Sequence, residues 1–430
     1  MATVCRSAEH NGVPGVTSFV SAETLAPDEV PPPASGRSTR HRLNGLDGFR
    51  AVAVTVVMLY HFKVPGFSGG WIGPELFFVL SGYLITTLLL DRSDPGNGSP
   101  PLRDFWTRRI KRLYPALLFL VSALVSVVAV LAALRTISVA TISPSALSSE
   151  SFACLAYYAN WHLISEHVGY FGVSSSLLKH TWSLAIEEQF YVVFPLVFLL
   201  IRKARAHWRL VGIVVACLGV IASAVDAGTT VSTSSINLVY YSTLTNAYHL
   251  LIGVALAFAS HGWLPTPTMR KILECLAAPA LVVIVVFVEV ASDPSGMPRL
   301  WMMQGGGVVL DFAAAVLLVS LVFGTHRSLV SRAFNLRPIV WIGSISYGLY
   351  LWHYPLAVLM TPATTHLSQY ILVPTLIAAT IMMASFSFTF IEVVVRETLI
   401  EERRARWVIY GVSVAGAIAL VASASWLIKP

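Results

Sequence analysis

The sequence predicts an all-α fold: a polytopic transmembrane helical bundle of about ten or eleven spans. Three observations predict it. The 430 residues are 56% hydrophobic and only 12% charged, where soluble domains average about 25% charged, and the mean hydropathy is +0.71. Apolar runs recur along the whole chain, most of them long enough to cross a bilayer core. Lys and Arg, finally, crowd into alternate loops between those runs, the asymmetry expected of loops kept on the inner side of a membrane.

Taken in order, residues 1–42 are rich in Pro, Ser, Ala and Gly, with Pro31–Pro33 in a row and no apolar run. They contain no signal-peptide core, and they read as a disordered cytoplasmic tail ending in Arg40-His41-Arg42. Spans follow at 45–62, 73–90, 115–134, 178–201, 210–226, 241–260, 272–291, 304–324, 339–360, 370–395 and 407–428. With the N-terminus inside, the inner loops collect Arg92, Arg103, Arg108, Arg109, Lys111, Arg112, Arg202, Lys203, Arg270, Lys271, Arg327, Arg332, Arg403 and Arg404. The outer side keeps Lys63, Arg135, Lys179, Arg299 and Lys429. That division decides residues 136–177, which are only moderately apolar: a span there would invert every later loop. They are expected to form an outer loop with an interfacial or re-entrant helix around Phe152–Ile164, where Tyr157, Tyr158 and Trp161 suit the headgroup region. Residues 397–430 form a basic linker and the last span.

The net charge of +7 is no nucleic-acid footprint, because the basic residues sit in short loops of a lipid-embedded chain. Four cysteines are scattered over a tail, a loop and two apolar runs, with neither a disulfide framework nor a metal spacing. No P-loop, CxxC or HExxH pattern occurs. Gly66-Phe67-Ser68-Gly69-Gly70 matches G-x-S-x-G, but a nucleophile elbow needs a strand–turn–helix, and here the motif joins two spans. Asn97-Gly98-Ser99 is a glycosylation sequon placed in an inner loop.

Ionisable residues inside spans are functional candidates by default, because each costs roughly 2.5–3.5 kcal/mol even on lenient insertion scales. Four stretches carry them. In LDGFRAVAVTVVMLYH, Arg50 and His61 fall about three helical turns apart and share a face, roughly 16 Å apart along the axis. Asp47 lies one turn before Arg50. In the inner loop FWTRRIKRLYP, Arg109 and Arg112 are one turn apart; they read equally as a clamp for phosphates or as an anchor on anionic lipid. In HTWSLAIEEQFYVVFP, His180, Ser183, Glu187 and Tyr191 descend one helix face, and Glu188 points elsewhere, about 100° away. In SISYGLYLWHYPL, His353 stands alone in the outer half of its span, and a packed helix–helix hydrogen bond accounts for it as well as chemistry does.

These stretches carry a resemblance. LDGFRA…LYH, GGWIGPELFFVLSGYLIT, RRIKRLYP, HTWSLAIEEQFY, YYSTLTNAYHLLIG, ISYGLYLWHYPL and FSFTFIE stand in the order found in the acyltransferase-3 family of integral membrane acyltransferases, over residues 43–396. The resemblance implies O-acylation of surface polysaccharides, lipids or secondary metabolites. It ties activity to Arg50, His61, Arg109 and Arg112, with the Arg-x-x-Arg pair on the acyl-CoA donor and the His in acyl transfer. There are departures. Pro74-Glu75 replaces a usual Val-Asp, Asn246 and His249 stand where Arg and Glu are common, and Val393 follows Glu392 where Pro is common. Many members append an SGNH-type esterase-like domain. Its absence here implies an acceptor step within the membrane domain or with a separate partner.

The expected function is therefore a membrane O-acyltransferase in the cell membrane. It would use acyl-CoA, acetyl-CoA above all, as co-substrate, with no bound cofactor and no metal. Arg50, Arg109 and Arg112 would meet the donor. His61 would be base or acyl carrier, oriented by Glu187 or Glu75, and His353, Glu188 and Tyr191 would bind substrate. The acceptor would be a hydroxyl of a carbohydrate, lipid or secondary metabolite. A transporter or flippase for a glycan or lipid intermediate, using the same residues as a substrate path, is the alternative.

Overall fold

The computed structural model describes residues 35–91, 102–133, 144–171, 176–203, 207–233, 236–325 and 327–393. Among these the fold is a helical bundle, in which eight helices are long and apolar enough to cross a membrane. They correspond in order to eight of the eleven expected spans. Two others are present in different form, and 407–428 lies outside the described residues.

The first exception is α1 (Ser35–His61), which starts inside the stretch expected to be tail. Its polar residues keep it below the hydropathy of a lipid-facing span, yet Ala53, Val54 and Val57 are fully enclosed. It is an interior helix. The second is 339–360, divided at Ile345 into α13 (Arg337–Ser344) and α14 (Ser346–Leu359).

After α1, a tight turn with φ of +56° at Lys63 and +84° at Gly66 leads into α2 (Gly73–Asp91). The turn follows α1 directly, so the G-x-S-x-G match is a connection between two helices. α3 (Leu102–Ala133) runs unbroken through Pro115. The stretch expected as an inner loop is therefore helix, held by Phe105 in the core and by Trp106, whose Nε1 donates to Tyr191 O at 2.9 Å.

Two short helices, α4 (Pro144–Leu155) and α5 (Ala159–Ser165), form the expected non-spanning segment. Asn160 pins it by donating to Tyr241 O and Thr243 Oγ1, both at 3.0 Å. α6 (Trp182–Arg202) and α7 (Trp208–Thr233) then lead through the short α8 (Ile236–Tyr241) to α9 (Thr243–Ser260). α10 (Pro267–Val290), α11 (Gly307–Phe323) and α12 (Leu329–Phe334) precede the broken pair; α15 (Pro362–Thr365) and α16 (Gln369–Phe386) follow it.

α2 packs closely against α9. A Cβ on Gly82 would stand 1.9 Å from Leu250 O, and one on Gly253 would stand 2.1 Å from Val79 O. Small residues at membrane helix contacts allow such approach, and dispersion then supplies the stability that water cannot. α7 is the reverse case: Leu210, Leu218, Ile221 and Val225 stay exposed on its outer face, as a lipid-facing helix requires. α1, α2, α6 and α14 enclose the polar interior.

Candidate active site

A chamber of about 330 Å³ opens at the end of the bundle where α3 enters. Its mouth carries Arg50, Arg109 and Arg112; its walls are Ser81, Leu84 and Leu88 of α2, Glu187, Glu188 and Tyr191 of α6, and Tyr347 of α14; its closed end is formed by Pro74, Phe77, Ser183 and Tyr350. The helical spacing read from the sequence puts Ser183, Glu187 and Tyr191 on this one surface.

The three arginines have different surroundings. Arg109 is fully engaged: Nε donates to Glu188 Oε1 at 2.7 Å, Nη2 reaches Glu187 Oε1 at 3.4 Å, and the guanidinium lies 3.3 Å above the Tyr191 ring. Glu187 also accepts from Ser81 Oγ and from Tyr191 OH, the latter at 3.0 Å. Glu188 and Tyr191, expected to bind substrate, thus hold Arg109. Arg50 donates to Asp47 Oδ1 at 2.6 Å. Arg112 is exposed, makes no hydrogen bond among the described residues and lies close enough to Glu392 to interact with it electrostatically. It is the guanidinium best free to meet an external anion.

His61 and His353 do not line the chamber. They form a second cluster one helical turn beyond it, with His61 Nδ1 3.1 Å from His353 Nε2 and 3.1 Å from Val57 O. The tautomers follow from the carbonyls, since a carbonyl only accepts. His353 Nδ1 lies 2.6 Å from Tyr350 O, so it carries the proton. Neutral His353 then accepts at Nε2, and His61 must donate from Nδ1. That leaves a lone pair on His61 Nε2, which faces Tyr170 OH at 3.4 Å. A neutral imidazole with one nitrogen held and the other open can take a proton or an acyl group.

Neither carboxylate expected to orient His61 touches it; His353 occupies that position. Glu187 belongs to the arginine cluster. Glu75 is buried elsewhere, with Oε2 unbonded among the described residues and close enough to His249 and Asp311 to interact electrostatically. His249 Nδ1 contacts Asp311 Oδ2 at 2.7 Å. Asn246 caps the chain reversal after α8 by donating to the carbonyls of Val239, Tyr240 and Ser242.

Three contributors were not singled out from the sequence. Tyr170 lies in a loop without periodicity, so no local signal marked it. Lys179 is buried, donates to Tyr170 O at 2.9 Å, and lies over the rings of Tyr170 and Tyr354 at 5.3 and 5.7 Å. Asp311, a lone carboxylate in the apolar run 304–324, carried the signal used elsewhere for intramembrane charge. No group of three or more His, Cys, Asp or Glu with metal-holding geometry occurs among the described residues.

Fold and site together define a multi-pass membrane protein with a basic-mouthed internal chamber that ends beside a hydrogen-bonded histidine pair. The model of the acyltransferase-3 family, described as an acyltransferase domain, matches residues 43–392, and the chain belongs to that family. It is 34% identical to the peptidoglycan O-acetyltransferase OatA of Listeria monocytogenes over 370 residues, covering 84% of this chain and 57% of that protein. It is 37% identical to the putative peptidoglycan O-acetyltransferase YrhL of Bacillus subtilis over 345 residues, covering 76% and 50%. The O-acetyltransferase OatA of Staphylococcus aureus matches at 33% over 372 residues, covering 83% and 57%. The chain thus spans about half the length of the curated relatives it matches. No solved structure matches it.

Proposed function

We propose that this chain is an O-acetyltransferase that takes an acetyl group from acetyl-CoA at the basic end and delivers it to a hydroxyl of a surface carbohydrate. The observation that carries the reading is the linear order of the site: an exposed Arg112 at the mouth, a chamber behind it, and the His61–His353 pair beyond the closed end. The basic end is cytoplasmic, as is the N-terminus. Arg112 and Arg50 meet the nucleotide phosphates, for which planar guanidinium donors are suited, and the pantetheine arm enters the chamber. The relatives named for peptidoglycan make a wall glycan the favoured acceptor.

In the transfer, the acceptor hydroxyl gives its proton to His61 Nε2 as its oxygen attacks the thioester carbonyl. The carbon–sulfur bond breaks and the thiolate leaves with that proton, so no net proton is consumed. In the carrier form, Nε2 itself attacks and holds the acetyl group until the hydroxyl takes it.

Purified protein given radiolabelled acetyl-CoA tests both parts. With a glycan acceptor the wild type transfers label, and His61→Gln loses on the order of 100-fold or more of the rate. Near-wild-type transfer by His61→Gln overturns the assignment. Without acceptor, label retained on the wild type and absent from the variant identifies the carrier form; label on neither leaves the base.

A further inference from the structure

Tyr350 stands between the two halves of the site. On one side its ring lines the closed end of the chamber, where it meets the ring of Phe77 with centroids 6.4 Å apart. On the other side it is 5.3 Å from His353 and 5.5 Å from His180. Its hydroxyl is fixed: it donates to His180 O at 2.7 Å and accepts from Ser183 Oγ at 2.7 Å. Phe77 is half-buried, with part of its surface on the chamber. The two rings are in contact, and Tyr350 touches both the chamber and His353. Tyr350 is the ring held by hydrogen bonds, and Phe77 is held by packing alone.

We propose that Phe77 and Tyr350 are the acyl-selecting partition of this enzyme, admitting a two-carbon acyl group to His61 and holding longer chains back in the chamber. The proposal rests on the reading that acyl-CoA enters from the basic end. A thioester that presents a methyl group needs the smallest rotation of Phe77. Each further methylene has to be accommodated ahead of the thioester, beside the same two rings, in an interior whose close packing gives little. Discrimination by one methylene in an apolar site is typically tenfold or more. The selectivity thus comes from the room beside the rings, while the chamber, which has to take the pantetheine arm, is roomier than an acetyl group needs.

Competition assays with acetyl-, propionyl- and butyryl-CoA, on wild type, Phe77→Leu, Phe77→Ala and Tyr350→Phe, test this. The wild type should prefer acetyl-CoA. Phe77→Ala should raise the butyryl-to-acetyl ratio of kcat/KM by about tenfold or more. Phe77→Leu, which changes little volume and so keeps the fold, should move the ratio in the same direction by less. Tyr350→Phe, which frees the ring from both hydrogen bonds, should also raise it. If Phe77→Leu and Tyr350→Phe transfer acetyl yet leave the ratio at its wild-type value, the partition is refuted and the donor reading stands. If the wild type transfers from no acyl-CoA, the donor reading falls and takes the partition with it.

Discussion

Arg109 and Arg112 are one turn apart and equal in charge, and the sequence gives no ground for separating them. Their partners do. Arg109→Ala strands two carboxylates against one another, and each member of the Arg109–Glu188 pair is only about one-fifth exposed, at 21% and 17%. The loss should be about 2–3 kcal/mol, less than the 3–5 of a fully buried pair, and it should appear as a lower melting temperature in detergent. Arg112→Ala should leave the melting temperature unchanged while raising the KM for acetyl-CoA about tenfold, a binding loss that excess donor recovers. Equal destabilisation by both changes would show that Arg112 has a structural partner after all. His353 is revised in the same way. From its lone position in a span its loss should cost little; from its bond to His61 Nδ1, His353→Gln should lower kcat about tenfold or more with KM nearly constant, because it removes one of the two acceptors, with Val57 O, that orient the His61 ring. A kcat within twofold of wild type would deny it that positioning role. The candidate residues were legible because charge in a span stands out, but their pairing was not: contacts such as His61–His353 join residues nearly three hundred positions apart.

Helices read well where apolar length sets them and poorly where a neighbour does. The eight long apolar runs were legible because each must satisfy its backbone within itself. α3 was begun too late, since a string of arginines reads as loop until Trp106 and Phe105 are seen docked on α6. The break at Ile345 was invisible, because SISYGLYLWHYPL continues the hydropathy without interruption. The α2–α9 contact rests on glycines that a span pattern does not distinguish from any other small residue. Gly82→Ala puts a methyl group where Leu250 O already stands, and the overpacking should cost about 1–3 kcal/mol or more. Thermal unfolding of the purified variant measures this. Gly228→Ala, with nothing within 4 Å of the added atom, is the control and should not destabilise. A Gly82→Ala protein as stable as wild type would mean that the two helices are not packed this closely.

For the whole molecule, orientation is the proposition on which the division of labour depends. It follows from the Lys/Arg asymmetry, and cysteine labelling in intact cells examines it. Ser292, first in the outer loop, makes a poor reporter, because it is buried and bonded to Trp71 Nε1 at 2.9 Å. Ser295, three residues on, is exposed. Ser295→Cys should react with an impermeant thiol reagent, whereas cysteines at Ser99 and Ala405 should react only after the cells are opened. Labelling at Ser99 in intact cells would invert the bundle and put the chamber mouth outside. Membrane class, eight of the eleven expected spans and the shortness of α4 and α5 were within reach of composition and charge. The chamber was not, since a void is made by residues that no two adjacent elements share.

The ring pair at the end of the chamber has one more duty. The chamber ends near a cluster of His61, His353, Tyr170 and Tyr354, and a continuous chain of such groups across a membrane would conduct protons. Each charge that leaks across 100 mV dissipates about 2.3 kcal/mol, and a leak runs continuously whereas acetyl transfer runs only on demand. Phe77 has no proton to pass on and Tyr350 has both its hydroxyl bonds committed within the protein. If the two rings form the partition proposed above, they are also insulation that lets a cell keep its voltage while carrying this protein in its membrane.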